Sequence, residues 1–473
     1  MDSPRRRAGS SATLVLMALA SLAFGCSESE VPSLGDSGSA SQRLSEAKPP
    51  NLLVVLYDDL DLIGDLGPFG GDPAEVQTPF SDLLAETGRR FDHFYVNAPV
   101  CSPTRMALLT GHYPTRYGFT WATEETSRRG LPTVTPTLPR LLKERGYLTG
   151  AFGKWHIGSS QDALLPQGVG FDRAAINCTF TNFGRSPANP DPADAAIGYR
   201  EARFCDRPGR PLADSGRSFA TTYTVDKALE LITEALDATP GEPPGPGARP
   251  FYAQVWLHAP HTPLTCPPGA VDCPTCDPEE DCDARQKRRI HHAMISHAES
   301  QLLRLHRDLN ARGVWGETLV ILASDNGGVG GWHEPSTDLR GAKGSLYERG
   351  LRTPLLVSGP GVDVGVVDEV VAGVDLLPTL VELLDLSTDP THSERASGPT
   401  FAGRSFAASL RNGPAKAPAP DLVGDAYFWE LRPRAAPDRH TLAGRWLQLA
   451  VQRRINGRLY KLVKTDFYAG GDE

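Results

Sequence analysis

The feature that most constrains the fold is a series of short, continuous apolar runs, each ending in polar residues. Asn51–Leu56, Tyr147–Phe152, Phe251–Leu257, Thr318–Ala323 and Leu355–Ser358 have strand length and little polar alternation, as expected of strands buried on both faces of a parallel sheet. Phe91–Asn97 reads as a further strand. Between these runs lie stretches with helical spacing: Pro79 to about Gly88, Leu138–Arg145 stopped by Gly146, Tyr223–Leu236, Gln286–Arg312 stopped by Gly313, and Asp375–Leu386. The alternation predicts an α/β fold, a large mainly parallel sheet sandwiched by helices. Pro166 to Ser218, rich in Pro, Asn, Asp and Arg, reads as a long surface excursion. After Pro390 the pattern changes to Pro- and Ala-rich linkers with short apolar strands at Asp425–Leu431, Arg445–Gln452 and Arg458–Val463. This predicts a small C-terminal subdomain of antiparallel sheet and helix.

At the N-terminus, Arg5, Arg6 and Arg7 precede an apolar run from Ala12 to Gly25 that is too short to span a bilayer comfortably. Residues 1–25 are expected to be an export signal, 26–50 a Ser-, Gly-, Glu- and Pro-rich linker, 51–389 the main body and 390–473 the subdomain. The end of the signal, Leu22-Ala23-Phe24-Gly25-Cys26, resembles a bacterial lipoprotein cleavage site. Membrane attachment by a lipid on Cys26 is one expectation, and a freely periplasmic or secreted protein the other. With 473 residues, 40% of them hydrophobic, the chain can bury a large core. Its net charge of −9 argues against nucleic acid as a partner, because phosphate binding needs a concentrated basic face. A small anionic substrate stays open, since the field in a pocket can be positive on an acidic protein.

The chain has 8 cysteines. Setting aside Cys26 and Cys101 leaves Cys178, Cys205, Cys266, Cys273, Cys276 and Cys282, which can pair in about 15 ways. Cys273-Pro274-Thr275-Cys276 could also be read as part of a zinc cluster. In an oxidising compartment disulfides are the better expectation, with Cys178 joined to Cys205 and two bridges inside the later loop.

Asn97 to Gly111, NAPVCSPTRMALLTG, runs extended and then restarts as a helix, with Ser102 able to cap and Pro103 suited to the first helical position. Cys101 is then expected just before a helix N-terminus, where backbone N–H groups and the helix dipole favour an anion. Arg105, one turn on, can fold back and add a planar fork of donors. Asp58-Asp59, Lys154 with His156, His261, Asp325-Asn326 and Lys343 each fall at the C-terminal end of an expected strand or in the loop after it. One rim of one sheet would gather them all. Asp58, Asp59, Asp325 and Asn326 offer hard oxygen ligands, the set that suits Ca²⁺, with Mg²⁺ the alternative. His258 is expected to pack at a strand end. His333 lies between the Asp325-Asn326 pair and Lys343 and could shape the pocket. His291, His292 and His297 read as surface or helix-packing residues.

These motifs, in this order, resemble the type I sulfatases, a family with the alkaline phosphatase superfamily fold. The Cys101-Ser-Pro-Thr-Arg105 run followed by Leu-Thr-Gly is similar to the family signature, with Thr104 where Ser is usual. The resemblance implies a sulfatase catalytic domain over 51–389 that hydrolyses sulfate monoesters. It implies that Cys101 is oxidised to formylglycine (3-oxoalanine) by a formylglycine-generating enzyme. Asp58, Asp59, residue 101, Asp325 and Asn326 would hold the metal, and a gem-diol hydroxyl at 101 would attack sulfur with help from Arg105. His261, with Lys343, would protonate the leaving group. His156 would deprotonate the second hydroxyl, and Lys154 would hold it or the sulfate oxygens. A sulfated small molecule or sulfated carbohydrate is the expected substrate. The competing readings are a phosphoric or phosphonic ester hydrolase of the same superfamily and a carbohydrate-binding surface protein without activity.

Overall fold

The computed structural model describes residues 49–123, 131, 135–158, 165–177, 199–200, 202–207, 210–216, 218–276, 281–330, 339–386, 401–411, 426–431, 447–455 and 458–466. The expected signal, most of the linker, Cys178, His333 and the boundary near Pro390 lie outside them.

Ten strands form one sheet. In chain order they are β1 (Asn51–Tyr57), β2 (Gly88–Tyr95), β3 (Leu148–Gly153), β4 (Arg173–Asn177), β5 (Phe204–Arg207), β6 (Arg210–Pro211), β7 (Phe251–Trp256), β8 (Thr318–Ser324), β9 (Leu355–Ser358) and β10 (Gly365–Ala372). Their order across the sheet is β10-β2-β9-β8-β1-β7-β3-β4-β5-β6. The centre, β8-β1-β7-β3-β4, is parallel throughout. The helices are α1 (Pro79–Thr87), α2 (Cys101–Thr110), α3 (Leu138–Glu144), α4 (Ala220–Leu236), α5 (Ala284–Ala311), α6 (Glu348–Leu351) and α7 (Gly373–Leu383).

Side chains of β1 alternate between two cores. Leu52 and Leu56 join Leu108, Leu142 and Leu377, from α2, α3 and α7. Leu53, Val55 and Tyr57 join Phe80, Leu231 and Leu302, from α1, α4 and α5. Helices therefore cover both faces, and every residue of β8 is buried, which is why these strands read as unbroken apolar runs.

The sheet departs from expectation at its margins. β9 runs antiparallel to both β8 and β2, a direction that four apolar residues cannot encode. β10 was not anticipated, because Asp368 and Glu369 interrupt its valines; as the outermost strand it can carry them toward solvent. The excursion after Pro166 first gives the sheet a strand, β4, and then the short pair β5 and β6.

In the C-terminal region β11 (Ala426–Leu431), β12 (Leu447–Ile455) and β13 (Arg458–Asp466) form the expected antiparallel sheet. The helical component among the described residues there is one 3₁₀ turn, Ala407–Leu410. Trp429 Nε1 donates to the Val96 carbonyl at 2.7 Å, and Tyr427 Oη to buried Asp375 at 2.6 Å. The small sheet is thereby fastened to the end of β2 and the start of α7.

Glu299, fully buried on α5, secures the opposite face. It accepts from Tyr57 Oη at 2.8 Å, Ser81 Oγ at 2.7 Å and the Phe80 and Ser81 amides at 2.9 and 2.8 Å. It thus caps α1, whose own N-cap Thr78 makes no side-chain cap bond, and steadies the residue preceding Asp58. Glu299→Ala would leave several buried donors unpaired and should destabilise the fold by about 3 kcal/mol or more. A urea midpoint that does not fall would contradict this role.

Candidate active site

The four strands β8, β1, β7 and β3 end level with one another. Tyr57 pairs with Ser324, Leu56 with Trp256, and Trp256 with Gly153. The residues that follow each terminus emerge side by side: Asp325-Asn326, Asp58-Asp59, His258 to His261, and Lys154 to His156. Gly153 permits the last of these turns. Its φ is +95°, and a Cβ there would lie 2.0 Å from the Trp256 carbonyl oxygen, so only glycine fits. The next amide, Lys154 N, donates to that same oxygen at 2.8 Å.

Cys101 reaches the rim from α2. It is the first residue of that helix, not the residue before it, and Val100 is the N-cap with no side-chain cap bond. Pro103 stands at the third position, which costs nothing because the first four amides of a helix have no intrahelical acceptor. Ser102 does not cap; its Oγ accepts from the Thr123 amide at 2.9 Å.

Around Cys101 the charges alternate. Its Sγ lies 3.5 Å from Asp58 Oδ1 and 3.5 Å from Lys154 Nζ, and Lys154 Nζ also binds Asp58 Oδ2. Arg105 is wholly buried. Its Nε and Nη2 grip Asp325 Oδ2 at 2.9 and 2.8 Å, and Nη2 lies 3.8 Å from Asp58. The guanidinium stands 5.1 Å from the Trp256 ring centre. Lys343 Nζ contacts Asp59 Oδ1 at 2.6 Å, and Asn326 Nδ2 donates to the same oxygen at 2.6 Å. His261 Nε2 faces Asp59 Oδ2 at 3.7 Å. All ten residues of the expected constellation are therefore brought together.

Electrostatics follow from this crowding. Burial alone would raise the Asp58 carboxyl, but Lys154, His261, Arg105 and Lys343 hold it well below its ordinary value. Asp325 is pushed up to about 7 by burial and by the Asp58 charge, against the pull of Arg105. Burial, Asp325 and Asp58 drive the Cys101 thiol far above its usual range, so at neutral pH it stays protonated and is a poor nucleophile. Burial, Lys343 and Lys154 bring His261 down to about 4. Burial, Lys154 and Arg105 also hold His156 well below its ordinary value.

A hard divalent cation fits the donor set. Asp325 Oδ1 and Asn326 Oδ1 are buried without a hydrogen-bond partner, an expensive state for polar atoms unless something else satisfies them. Asp58, Asp59, Cys101 and His261 also present ligand atoms within 4.8 Å of one another. Because a cation requires the ionised carboxylate, Ca²⁺ affinity should be level above pH 7. It should weaken as pH falls through 7 and Asp325 takes up its proton, by up to about tenfold per pH unit. Calorimetric titration at pH 6 and 8 checks this, and equal affinities would refute it.

His258 is buried, edge-on to Tyr199 at 5.5 Å and to His261 at 5.1 Å between ring centres. Tyr199, not singled out beforehand, donates to the His261 carbonyl at 2.8 Å. No motif surrounds it that could have revealed this. His291 and His292 are buried rather than at the surface, and His291 Nε2 meets Asp65 at 2.9 Å. His297 packs against Thr222 and Phe219. The later loop carries two disulfides, Cys266–Cys273 and Cys276–Cys282, so the zinc alternative is set aside. Cys205 is also disulfide-bonded.

Fold and site together define an α/β protein whose strand ends gather hard oxygen donors and fixed cations about one cysteine. Comparison with known proteins gives this class its family. The family model described as Sulfatase matches residues 50–386. Arylsulfatase A of Bos taurus is 34% identical over 361 residues, covering 72% of this chain and 65% of its own. The Homo sapiens arylsulfatase A is 32% identical over 370 residues with the same coverages. Human N-acetylgalactosamine-6-sulfatase is 29% identical over 365 residues, covering 72% of this chain and 63% of its own. The chain belongs to the sulfatase family. It spans just under two thirds of the length of these curated relatives. The crystal structure of Ps i-CgsB in complex with k-i-k-neocarrahexaose superposes with a TM-score of 0.66 at 22% identity, covering 88% of this chain and 86% of that one. Phosphonate monoester hydrolase from Silicibacter pomeroyi gives 0.57 at 18% identity, covering 89% and 90%. At such identities these two speak to the fold alone.

Proposed function

We propose that the protein hydrolyses sulfate monoesters, releasing inorganic sulfate and an alcohol, after Cys101 has been converted to formylglycine. One observation carries this reading: Cys101 Sγ stands 3.5 Å from both Lys154 Nζ and Asp58 Oδ1, at the rim where Arg105, Lys343, His156 and His261 also converge on the carboxylates. The hydrate of an aldehyde at 101 would supply the oxygen nucleophile that the thiol does not. A divalent cation, Ca²⁺ or Mg²⁺, held by Asp58, Asp59, Asp325 and Asn326 with residue 101, would supply Lewis-acid polarisation.

The chain's own groups do the rest. Lys154, poised between Asp58 and position 101, neutralises charge on the sulfuryl oxygens. Arg105, gripped by Asp325, presents a fixed positive face to the same point. Lys343 stands on the Asp59 side with His261. The Nδ1 of His261 lies 2.7 Å from the Thr262 carbonyl, to which it must donate, so Nε2 is the atom that exchanges a proton with the departing oxygen. A bound anion offsets Lys343 and Lys154, the cations that depress His261, and lifts its pKa toward the working range. His156 Nε2 lies 3.0 Å from the Thr123 carbonyl and must donate to it, which leaves Nδ1 unprotonated as a base.

Relatives named for aryl sulfates and for N-acetylgalactosamine-6-sulfate support a sulfated small molecule or carbohydrate as substrate. The Arg5–Arg7 and apolar leader supports export, with lipidation at Cys26 tested by a globomycin-sensitive mobility shift. The deciding experiment pairs peptide mass analysis at position 101 with sulfate release from an aryl sulfate, set against an aryl phosphate ester. An intact thiol in active protein removes the formylglycine step, and a preference for the phosphate ester removes the sulfate assignment.

A further inference from the structure

Thr123 belongs to no regular element and to none of the motifs above, yet it joins the two halves of the site. Its amide donates to Ser102 Oγ at 2.9 Å, and its Oγ1 lies 3.1 Å from the same oxygen. Oγ1 donates to the His156 carbonyl at 3.2 Å, and His156 Nε2 meets the Thr123 carbonyl at 3.0 Å. The donors can be assigned by elimination. The single Thr123 hydroxyl proton goes to the His156 carbonyl, so the Ser102 hydroxyl must be the donor in the Ser102–Thr123 pair. A carbonyl only accepts, so His156 carries its proton on Nε2. His156 Nδ1 is buried and has no hydrogen-bond partner, and the residue itself is held at a left-handed φ of 59°. Such a backbone persists only where its surroundings over-determine it.

We propose that Thr123 is a positioning residue. It locks His156 in the Nε2–H tautomer and ties that imidazole, through Ser102, to the first turn of the helix that carries position 101. The lone pair of Nδ1 is then fixed relative to the reacting residue by two pairs of hydrogen bonds that meet at Thr123 and not by rotamer preference. Ser102 falls at a position of the Cys-x-Pro-x-Arg run outside its Cys, Pro and Arg, so changing it leaves those three in place. The kinetic consequences rest on the sulfate-ester reading; the tautomer itself does not.

The test uses Thr123→Val, Thr123→Ser, Ser102→Ala and the double variant Ser102→Ala/Thr123→Val, each checked by mass for conversion at position 101. Thr123→Val and Ser102→Ala are expected to lower kcat for an aryl sulfate roughly tenfold with KM within about twofold, as for an interaction that acts only in the chemical step. Thr123→Ser is expected to restore kcat, and the double variant to be little worse than either single one, because both remove the Ser102–Thr123 hydroxyl bond that links the helix to Thr123. Ring-nitrogen NMR of His156 supplies an arm independent of turnover: one Nε2–H tautomer in the parent protein, and a mixture in Thr123→Val. Unchanged kcat in both single variants overturns the proposal. So does a loss of kcat that follows Tm and is not restored by serine, or a parent His156 protonated on Nδ1. If the parent protein turns over no sulfate ester, the NMR arm still decides the tautomer, and only the functional reading fails.

Discussion

Cys101→Ala protein is expected to release no sulfate over many turnovers, a loss of roughly ten-thousand-fold or more, the scale seen when a nucleophile is removed. Cys101→Ser sharpens the expectation. A serine hydroxyl can attack sulfur once, but its sulfate ester must then wait for water, whereas a hydrated aldehyde expels sulfate from within. The serine variant should therefore give at most one equivalent of alcohol per site and then stop. Product counting against active-site concentration distinguishes the outcomes, and sustained turnover by either variant would remove residue 101 from the chemistry. Neither variant should unfold: Cys101 makes long contacts to Asp58 and Lys154, and the carboxylates remain paired with other cations.

Arg105→Ala should act on both stability and activity. The wild-type guanidinium is fully buried, hydrogen-bonded through Nε and ion-paired through Nη2 to Asp325, with Asp58 nearby and the Trp256 ring beneath it. Removing it strands carboxylate charge in the interior, which typically costs about 3–5 kcal/mol. It also deprives the site of one of its buried cations, leaving Lys154 alone beside position 101. Ca²⁺ should compensate in part, because a divalent ion neutralises the same carboxylates. The rise in Tm on adding Ca²⁺ is therefore expected to be larger for the variant than for the parent. Equal rises would show that Arg105 and the cation do not share those charges.

The centre of the fold was legible because burial on both faces leaves a signature that does not depend on context. β1, β3, β7 and β8 were each marked by an apolar run, and the polar residues behind each run mapped onto one rim. Legibility failed where local sequence carries little of the decision. β9 is four residues long and reversed, β10 hides its valines around two acids, and Ser102 looked like a helix cap while serving Thr123 instead. The contacts of Thr123, Tyr199 and Glu299 join residues 21 to 242 positions apart, so nothing in their neighbourhoods announces them. Asp58, Asp59, Asp325 and Asn326 were placed together by strand logic, but the partition of charges among Arg105, Lys154 and Lys343 is a property of the assembled rim.

The level ending of β8, β1, β7 and β3 separates two design problems. Spacing between the reactive groups is set by the hydrogen-bond ladder, at about 4.8 Å per strand, and so is insulated from what the loops beyond them do. The disulfide-braced segment from Cys266 to Cys282 leaves the rim only five residues after His261. No described residue of that segment belongs to a strand of the sheet, so the spacing at the rim does not depend on its backbone.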